Sequence, residues 1–440
     1  MQIFSTYSVK IKHYNKIFKD TITIYRSAVD FLIDAVINEW EHLKTIESPL
    51  LRMRCMEILC HTTKNNPTPK YNFDKHFYKM PSYLRRGAIT DAIGKVSSYM
   101  SNLNSWEAEP VGKIPSKPKA GYAYPCLYKN NMYEQTDIYK ARIKVYIRNT
   151  WDWISVSLRK SDVDYINRRC SKRKQCAPTL MKRGHQWFLD FPFEEKVELN
   201  NTDVYEQVAV AVDLGINSQA TISVMCSNGT IIDRRFLKLS SEEDSLMHSI
   251  NRIKKAQQNG NYKTPRLWAK TKGINRDITV KTAQFIIDTA VLYGADIIVF
   301  EYLDRQSNKS GSKKQRLHLW KSHDVQRMVT DQAHRLSMRV RHVCAWGTSK
   351  LAFDGSGYVL RGRDAGIQSY SICKFPNGKI YNCDLSASYN IGGRYFIREI
   401  LKSVPMRVRL ALEAKVPQVA KRSTCTLSTF ISLNAALASA

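Results

Sequence analysis

The sequence predicts a multidomain α+β chain in which a β-rich region with a helical insertion precedes an α/β domain. Three observations carry this. Residues 2–12 alternate like a strand, and apolar residues then recur at helical spacing to about residue 103. Residues 140 to about 200 return to partial period-2 alternation, rich in β-branched and aromatic side chains. From about 207, two short continuous apolar runs, VAVAVDLG and ADIIVFE, are separated by a hairpin and a helix. That is the signature of strands buried on both faces.

The elements follow in order. A helix is expected from about Tyr14 to Lys44, a second over about 48–62, and a break at Asn65-Asn66-Pro67-Thr68-Pro69. A third helix, about 81–103, starts behind a proline. The Pro/Lys-rich stretch 110–120 reads as a linker. The strands after 140 enclose a run at 168–175, RRCSKRKQ, that reads as a basic loop. Its Arg168, Arg169, Lys172, Arg173 and Lys174 are candidates for a nucleic-acid backbone, although such a run alone is as readily a solvated surface. After VAVAVDLG, the Ser-Asn-Gly at 227–229 marks a hairpin turn. A polar helix (about 241–258) precedes one whose apolar face is Val280, Ala283, Ile286, Ile287, Ala290 and Val291, closed by Gly294. The stretch 324–342 reads as a basic helix with Arg327, Arg335, Arg339 and Arg341 as candidate backbone contacts, behind a flexible basic loop, 305–316. The last forty residues read as a basic tail with a small helix.

Composition narrows the function. Sixty-eight Lys and Arg oppose 39 Asp and Glu, a formal charge of +29, which predicts a polyanionic partner. No apolar run approaches the roughly 20 residues of a membrane span. The N-terminus lacks an apolar signal core. Nucleic acid in an intracellular setting is therefore the expectation, without a membrane. Ten cysteines include no C-x-x-C pair, so no disulfide framework is expected.

Three acids stand out by position. Asp213 ends the first apolar run, Glu301 ends the second, and Asp384 opens a helical segment. Singly, each has a plain explanation: a strand-end turn, a surface acid, a helix N-cap. Together, two neighbouring strand ends and one helix start can converge on one point. Carboxylates so placed repel unless cations neutralise them, and hard divalent ions with oxygen ligands do so. Two Mg²⁺ ions about 4 Å apart, with Mn²⁺ as a substitute, serve phosphodiester cleavage.

AVDLGIN, IIVFE and NCDLSASYNI resemble the three motifs of the RuvC nuclease domain in the form found in TnpB, the transposon-associated RNA-guided nuclease, and in the compact type V CRISPR effectors derived from it. Asp384, Ala387, Asn390 and Ile391 match the third motif, and Ser386 stands where Asn is commoner. The resemblance is strong over about 207–396 and rests on architecture before that. It implies an RNase H-like nuclease domain behind a β-rich wedge domain with a helical recognition insertion. The expected boundaries are a wedge strand at 1–13, the recognition domain at 14–109 and the wedge at 110–205. The nuclease domain follows at 206–342 and 383–403, interrupted by a zinc-ribbon-like insertion at 343–382, with the tail at 404–440. It implies a guide RNA, a target duplex with its displaced strand, a monomer or dimer on one RNA, and a prokaryotic, cytoplasmic, nucleoid-associated setting.

The departure from the family is the ribbon, which usually carries two C-x-x-C pairs. Only Cys344, Cys373 and Cys383 fall in this interval, with His342 as a fourth candidate ligand, so a metal-free, degenerate ribbon is expected. The segment 347–362 is expected near the active site. Three rival functions are set against this: a catalytically silent RNA-guided repressor, against which the presence of all three acids argues; a guide-independent transposase or resolvase, which shares the nuclease fold but would not need the basic N-terminal half; and a nucleic-acid-binding structural protein, which would have no reason to place acids at both strand ends.

Overall fold

A computed structural model describes residues 1–12, 16–110, 113–215, 218–302, 322–362, 366 and 371–439. The loop 305–316 lies outside the described residues. The chain divides into two compact units, Gln2–Lys196 and Val197–Ala440.

In the first unit, β1 (Gln2–Lys10) pairs antiparallel with β7 (Gln186–Lys196), which also pairs with β5 (Lys174–Gln175) and β6 (Thr179–Arg183). A second sheet runs β2 (Tyr133–Asp137), β3 (Lys140–Ile147), β4 (Thr150–Ser157). The helices Ile17–Asn38, Pro49–Cys60 and Ser82–Ala108 form the insertion, and Ser48 caps the second of them ahead of its first-turn proline. One core joins Phe18, Leu32, Ile89 and Trp187.

The basic stretch at 168–175 is not one loop. Arg168 and Arg169 lie in the last turn of a helix, Lys160–Cys170, whose Val163, Ile166 and Cys170 are buried at helical spacing. Arg173 pairs with Glu195 at 3.0 Å, and Lys174 with Glu194 at 2.9 Å. Two of the five expected backbone contacts are thus tied to strand β7.

The second unit is built on a five-stranded sheet in the order β10 (Ile231–Leu237), β9 (Ala220–Cys226), β8 (Val208–Asp213), β11 (Ile297–Tyr302), β12 (Arg339–Cys344). β8, β11 and β12 are parallel, and β9 is antiparallel to its neighbours. The Ser-Asn-Gly turn joins β9 to β10, with Gly229 at φ 90°, a conformation that glycine adopts without strain. Alternate residues of the central strands feed two cores. Val210, Val212, Ile298 and Phe300 pack with the helices Pro265–Leu292 and Ser322–Arg335. Ala209, Ala211, Ile297 and Val299 pack with the helices Cys383–Ser403 and Leu427–Ala438. β8 and β11 therefore read as unbroken apolar runs.

Three expectations are corrected here. The basic helix at 324–342 is a helix to Arg335 and then the edge strand β12, so Arg339 and Arg341 do not share a helix with Arg327 and Arg335. Ser337 at φ 64° ends the helix, and the alternating Val340 and Val343 suit a strand. Val280 and Val291 are exposed, whereas Ala283, Ile286, Ile287 and Ala290 form the buried face. The stretch after 404 is more than a tail. Leu412, Val419, Phe430 and Leu433 are buried in the core of the sheet, with Phe430 stacked on Phe396 at 5.2 Å.

Among the described residues, no helix is long and apolar enough to cross a membrane.

Candidate active site

Strand pairing fixes where two of the acids fall. Asp213 is the last residue of β8, opposite Thr221 of β9, and Glu301 is the next-to-last residue of the adjoining parallel strand β11. Gln326 donates to the Glu301 backbone carbonyl at 3.0 Å, pinning that strand end to the following helix. The third acid arrives on the helix Cys383–Ser403. The Asn382 side chain caps this helix by accepting from Leu385 N at 2.9 Å. Asn382 takes the N-cap role, so the Asp384 carboxylate in the first turn is not used for it.

The helix approaches the sheet closely because Gly392 stands over β8 and β9. A Cβ there would lie 2.8 Å from Met225 Cε and 3.3 Å from Ala211 Cβ. Gly393, on the same helix, meets the backbone at the start of the helix Leu427–Ala438: a Cβ would lie 3.2 Å from both Leu427 Cα and Thr426 O. Asn390 is fully buried, donates to Thr348 O and Leu351 O at 2.9 Å, and accepts from Leu427 N at 3.1 Å. It fastens the 348–351 turn to the helix.

The three carboxylates are all partly buried and interact. Asp213 is held well above the usual carboxylate range, first by burial and then by the charges of Glu301 and Asp384, with Arg361 opposing. Burial raises Glu301, while the Thr348 hydroxyl and the Arg394 guanidinium pull it down. Burial also raises Asp384, against Arg361 and Lys238. One buried Glu301 oxygen, Oε1, has no hydrogen-bond partner.

Among the described residues, no group of three or more acids, histidines or cysteines is gathered closely enough to hold one metal ion. The acids share one end of the sheet and sense one another without closing on a point. Hard oxygen donors, mutual repulsion and an orphaned carboxylate oxygen nonetheless fit a divalent cation.

The candidate zinc ligands are not brought together. Cys344 is exposed at the end of β12, whereas Cys373 and Cys383 are buried with Ala352 and Phe375. Cys373 lies in β14 (Ile372–Lys374), which pairs with β15 (Ile380–Asn382), Cys383 opens the helix that follows β15, and β12 carries Cys344. The insertion is a three-stranded sheet of β13 (Leu360–Arg361), β14 and β15. Its Arg361, with Thr348, is what the segment 347–362 contributes to the acids.

Arg394 is the residue that sequence reasoning missed. It is 5% exposed. Its guanidinium donates to Cys425 O, Cys344 O, Trp346 O and Ser423 O at 2.9, 2.7, 2.8 and 2.8 Å. An arginine between the apolar residues Ile391 and Ile397 was the available signal. The cations that act on the acids are Arg361, Arg394 and Lys238, none of them a basic candidate of the sequence. Arg327 pairs with Asp324 at 3.2 Å, Arg335 ends its helix, Arg339 donates to Asn201, and Arg341 is on the edge strand.

Comparison with known proteins bears out the TnpB resemblance. The Aq_aa04 family model matches residues 5–147. The TnpB-like protein aq_aa05 of Aquifex aeolicus is 27% identical over 242 residues, 48% of this chain and 74% of its own. The uncharacterized protein aq_aa04 of the same organism is 29% identical over 123 residues, 26% of this chain and 68% of its own. Among solved structures, the Cas12f1-sgRNA-target DNA complex aligns over 88% of this chain and 98% of its own, at 14% identity and a TM-score of 0.35. CasPhi-2 (Cas12j) bound to crRNA aligns over 89% and 97%, at 10% identity and a TM-score of 0.37.

Proposed function

We propose that this TnpB-like chain is an RNA-guided DNA endonuclease with a single site built from Asp213, Glu301 and Asp384. One observation carries the reading: three acids from two adjacent parallel strand ends and one helix start, their charges coupled, in a chain of formal charge +29. The strand order, with its one antiparallel member beside the first strand, supports an RNase H-like domain. The similarity to a protein named TnpB-like supports a guide RNA as partner and a DNA duplex as target.

Asp213, Glu301 and Asp384 would hold divalent ions, Mg²⁺ or Mn²⁺, which supply charge neutralisation at a phosphodiester and a more acidic water. The protein's own share is placement. β8 and β11 fix two carboxylates in register, and the Asn382 cap and Asn390 latch fix the third. Arg361 opposes the upward shift of Asp213, and Arg394 that of Glu301. Sequence would be read by base pairing and by a short flanking motif.

The test is cleavage of a matched duplex by the guide-loaded protein and by Asp213→Ala, Glu301→Ala and Asp384→Ala. Each variant should lose cutting and keep guide and target binding. Three variants that all cut like wild type would sink the assignment. Target binding without cutting in wild type itself would favour the silent repressor, and full-rate cutting without RNA the resolvase.

A further inference from the structure

Strand register sets a row of side chains across the sheet at the level of the acids. Val212 stands beside Phe300, so Asp213 and Glu301 follow at the next step of the same parallel pair. Asp213 is opposite Thr221, and Thr221 is opposite Phe236. The row therefore reads Glu301, Asp213, Thr221, Phe236 on β11, β8, β9 and β10. Side chains alternate along a strand, and Ala211, Val299 and Met225 share the alternation of Asp213, Glu301 and Thr221. Those three pack under the helix Cys383–Ser403, so the row lies on the face that this helix covers. Asp213 thus has a carboxylate on one flank and a hydroxyl on the other. Directly opposite residues of an antiparallel pair have Cβ atoms about 4.5–5.5 Å apart, within reach of a hydroxyl and a carboxylate.

Thr221 is 1% exposed, and its hydroxyl has no hydrogen-bond partner among the described residues. Its neighbours are spent or apolar. Phe236 offers no acceptor. Gln219, two residues back along the chain, donates to Glu243 and accepts from Leu239 N. Ser388 of the covering helix donates to Leu385 O at 2.8 Å. Ser223, two residues on, is buried and unpartnered itself, but it stands opposite Ala211 and not opposite an acid. The acceptor beside Thr221 in the row is the Asp213 carboxylate. A hydroxyl buried without a partner costs stability that a valine of the same shape would not. A partner supplied only when the acids hold an ion accounts for a threonine here.

We infer that Thr221 is a positioning residue for Asp213: with a divalent cation bound, its hydroxyl donates to the Asp213 carboxylate and fixes which oxygen faces the ion. The inference rests on the proposed cation role of the three acids and deepens it. Carboxylates that ligate a metal are held by hydrogen bonds in turn, and losing such a support costs about 10–100-fold in metal affinity. Ser223, equally buried and one row further back, is the built-in control.

The test is Mn²⁺ binding to the full chain without nucleic acid, followed by electron paramagnetic resonance, with Asp213→Ala marking the binding that belongs to the acids. Thr221→Val should weaken the Asp213-dependent binding by about 10–100-fold. Thr221→Ser, which keeps the hydroxyl, should restore most of it, and Ser223→Ala should bind like wild type. In chelator Thr221→Val should melt no lower than wild type, because it removes an unpaired hydroxyl and keeps the shape. A Thr221→Val variant that binds Mn²⁺ like wild type overturns the inference. So does Thr221→Ser as weak as Thr221→Val, or Ser223→Ala losing as much. A Thr221→Val variant that melts lower and loses the ion together marks a structural threonine and overturns it too. Wild type without Asp213-dependent Mn²⁺ binding removes the cation role itself, whereas Asp213-dependent binding indifferent to Thr221 leaves that role standing and removes only this inference.

Discussion

Replacing Arg394 with methionine should be the most damaging single change outside the acids. The guanidinium bridges two chain segments, 344–346 and 423–425, through four carbonyl oxygens from within the core. A hydrogen bond to a charged group contributes about 1.5–3 kcal/mol net. Four at the low end give about 6 kcal/mol. Relief from keeping a charge buried, and methionine's ability to fill the space, return part of this. The expected net loss is about 3–5 kcal/mol, which lowers the melting temperature of a unit this size by about 10 °C. Arg394→Lys, with its charge kept and its fork lost, should fall between. Calorimetry of the three proteins in chelator reads the effect. A chemical consequence accompanies it: the Arg394 charge holds the Glu301 carboxyl down, so its loss lets Glu301 protonate at higher pH. The acid limb of any residual cleavage should move upward in pH. An Arg394→Met variant melting within 2 °C of wild type, by about the spread of ordinary surface changes, would refute the reasoning.

Four further outcomes are expected. Asp213→Asn should melt higher than wild type in chelator at pH 8, because the raised carboxyl means that the folded chain binds a proton more tightly than the unfolded one, and wild-type stability falls as pH rises through that range; the gap should shrink towards pH 4, and equal melting at pH 8 would show that the repulsion is not there. Gly393→Ala should destabilise by about 1 kcal/mol, since overpacking against the Leu427 backbone outweighs the gain in helix propensity, whereas Gly94→Ala, with open space around its added methyl, should stabilise by about 0.5 kcal/mol; like signs in urea titrations would contradict the packing. Metal analysis should find well under one zinc per chain, and Cys344→Ser should leave the melting temperature unchanged; zinc retained through dialysis and lost with that variant would reverse this. Reversal of Arg339 and Arg341 to Glu should weaken nucleic-acid binding similarly for all targets, as backbone contacts do; unchanged binding at physiological salt would make β12 a mere solvated edge.

The strands β8 and β11 were legible because both of their faces are buried, leaving apolar runs that stop at an acid. The helix bearing Asp384 was legible from its spacing. β12 was not, because only three residues, Leu336, Ser337 and Met338, separate it from the end of a helix, and its alternation is short; the φ-positive Ser337 marks the break. Arg361 and Thr348 reach the acids from an irregular segment whose path depends on tertiary packing, and no local pattern announces that. The helix at Lys160–Cys170 hid behind its charge, since its buried Val163, Ile166 and Cys170 were outnumbered by basic neighbours. Phe430 and Leu433 did show helical spacing, but a small apolar helix at the end of a basic stretch looked like an appendage until its burial was seen.

That burial has a consequence for synthesis on the ribosome. The core under β8 is complete only when Phe430 and Leu433 have been added, and the Arg394 bridge needs Ser423 and Cys425. About two hundred residues separate Asp213 from these groups, and at roughly 5–20 residues per second that is about 10–40 s of translation. Once Glu301 has been added, for the later part of this interval, both strand-end acids exist on a nascent chain without the elements that hold the Asp384 helix in place. The second unit therefore matures late, and a message truncated after the helix Cys383–Ser403 yields a chain with all three acids but without the elements that hold that helix in place.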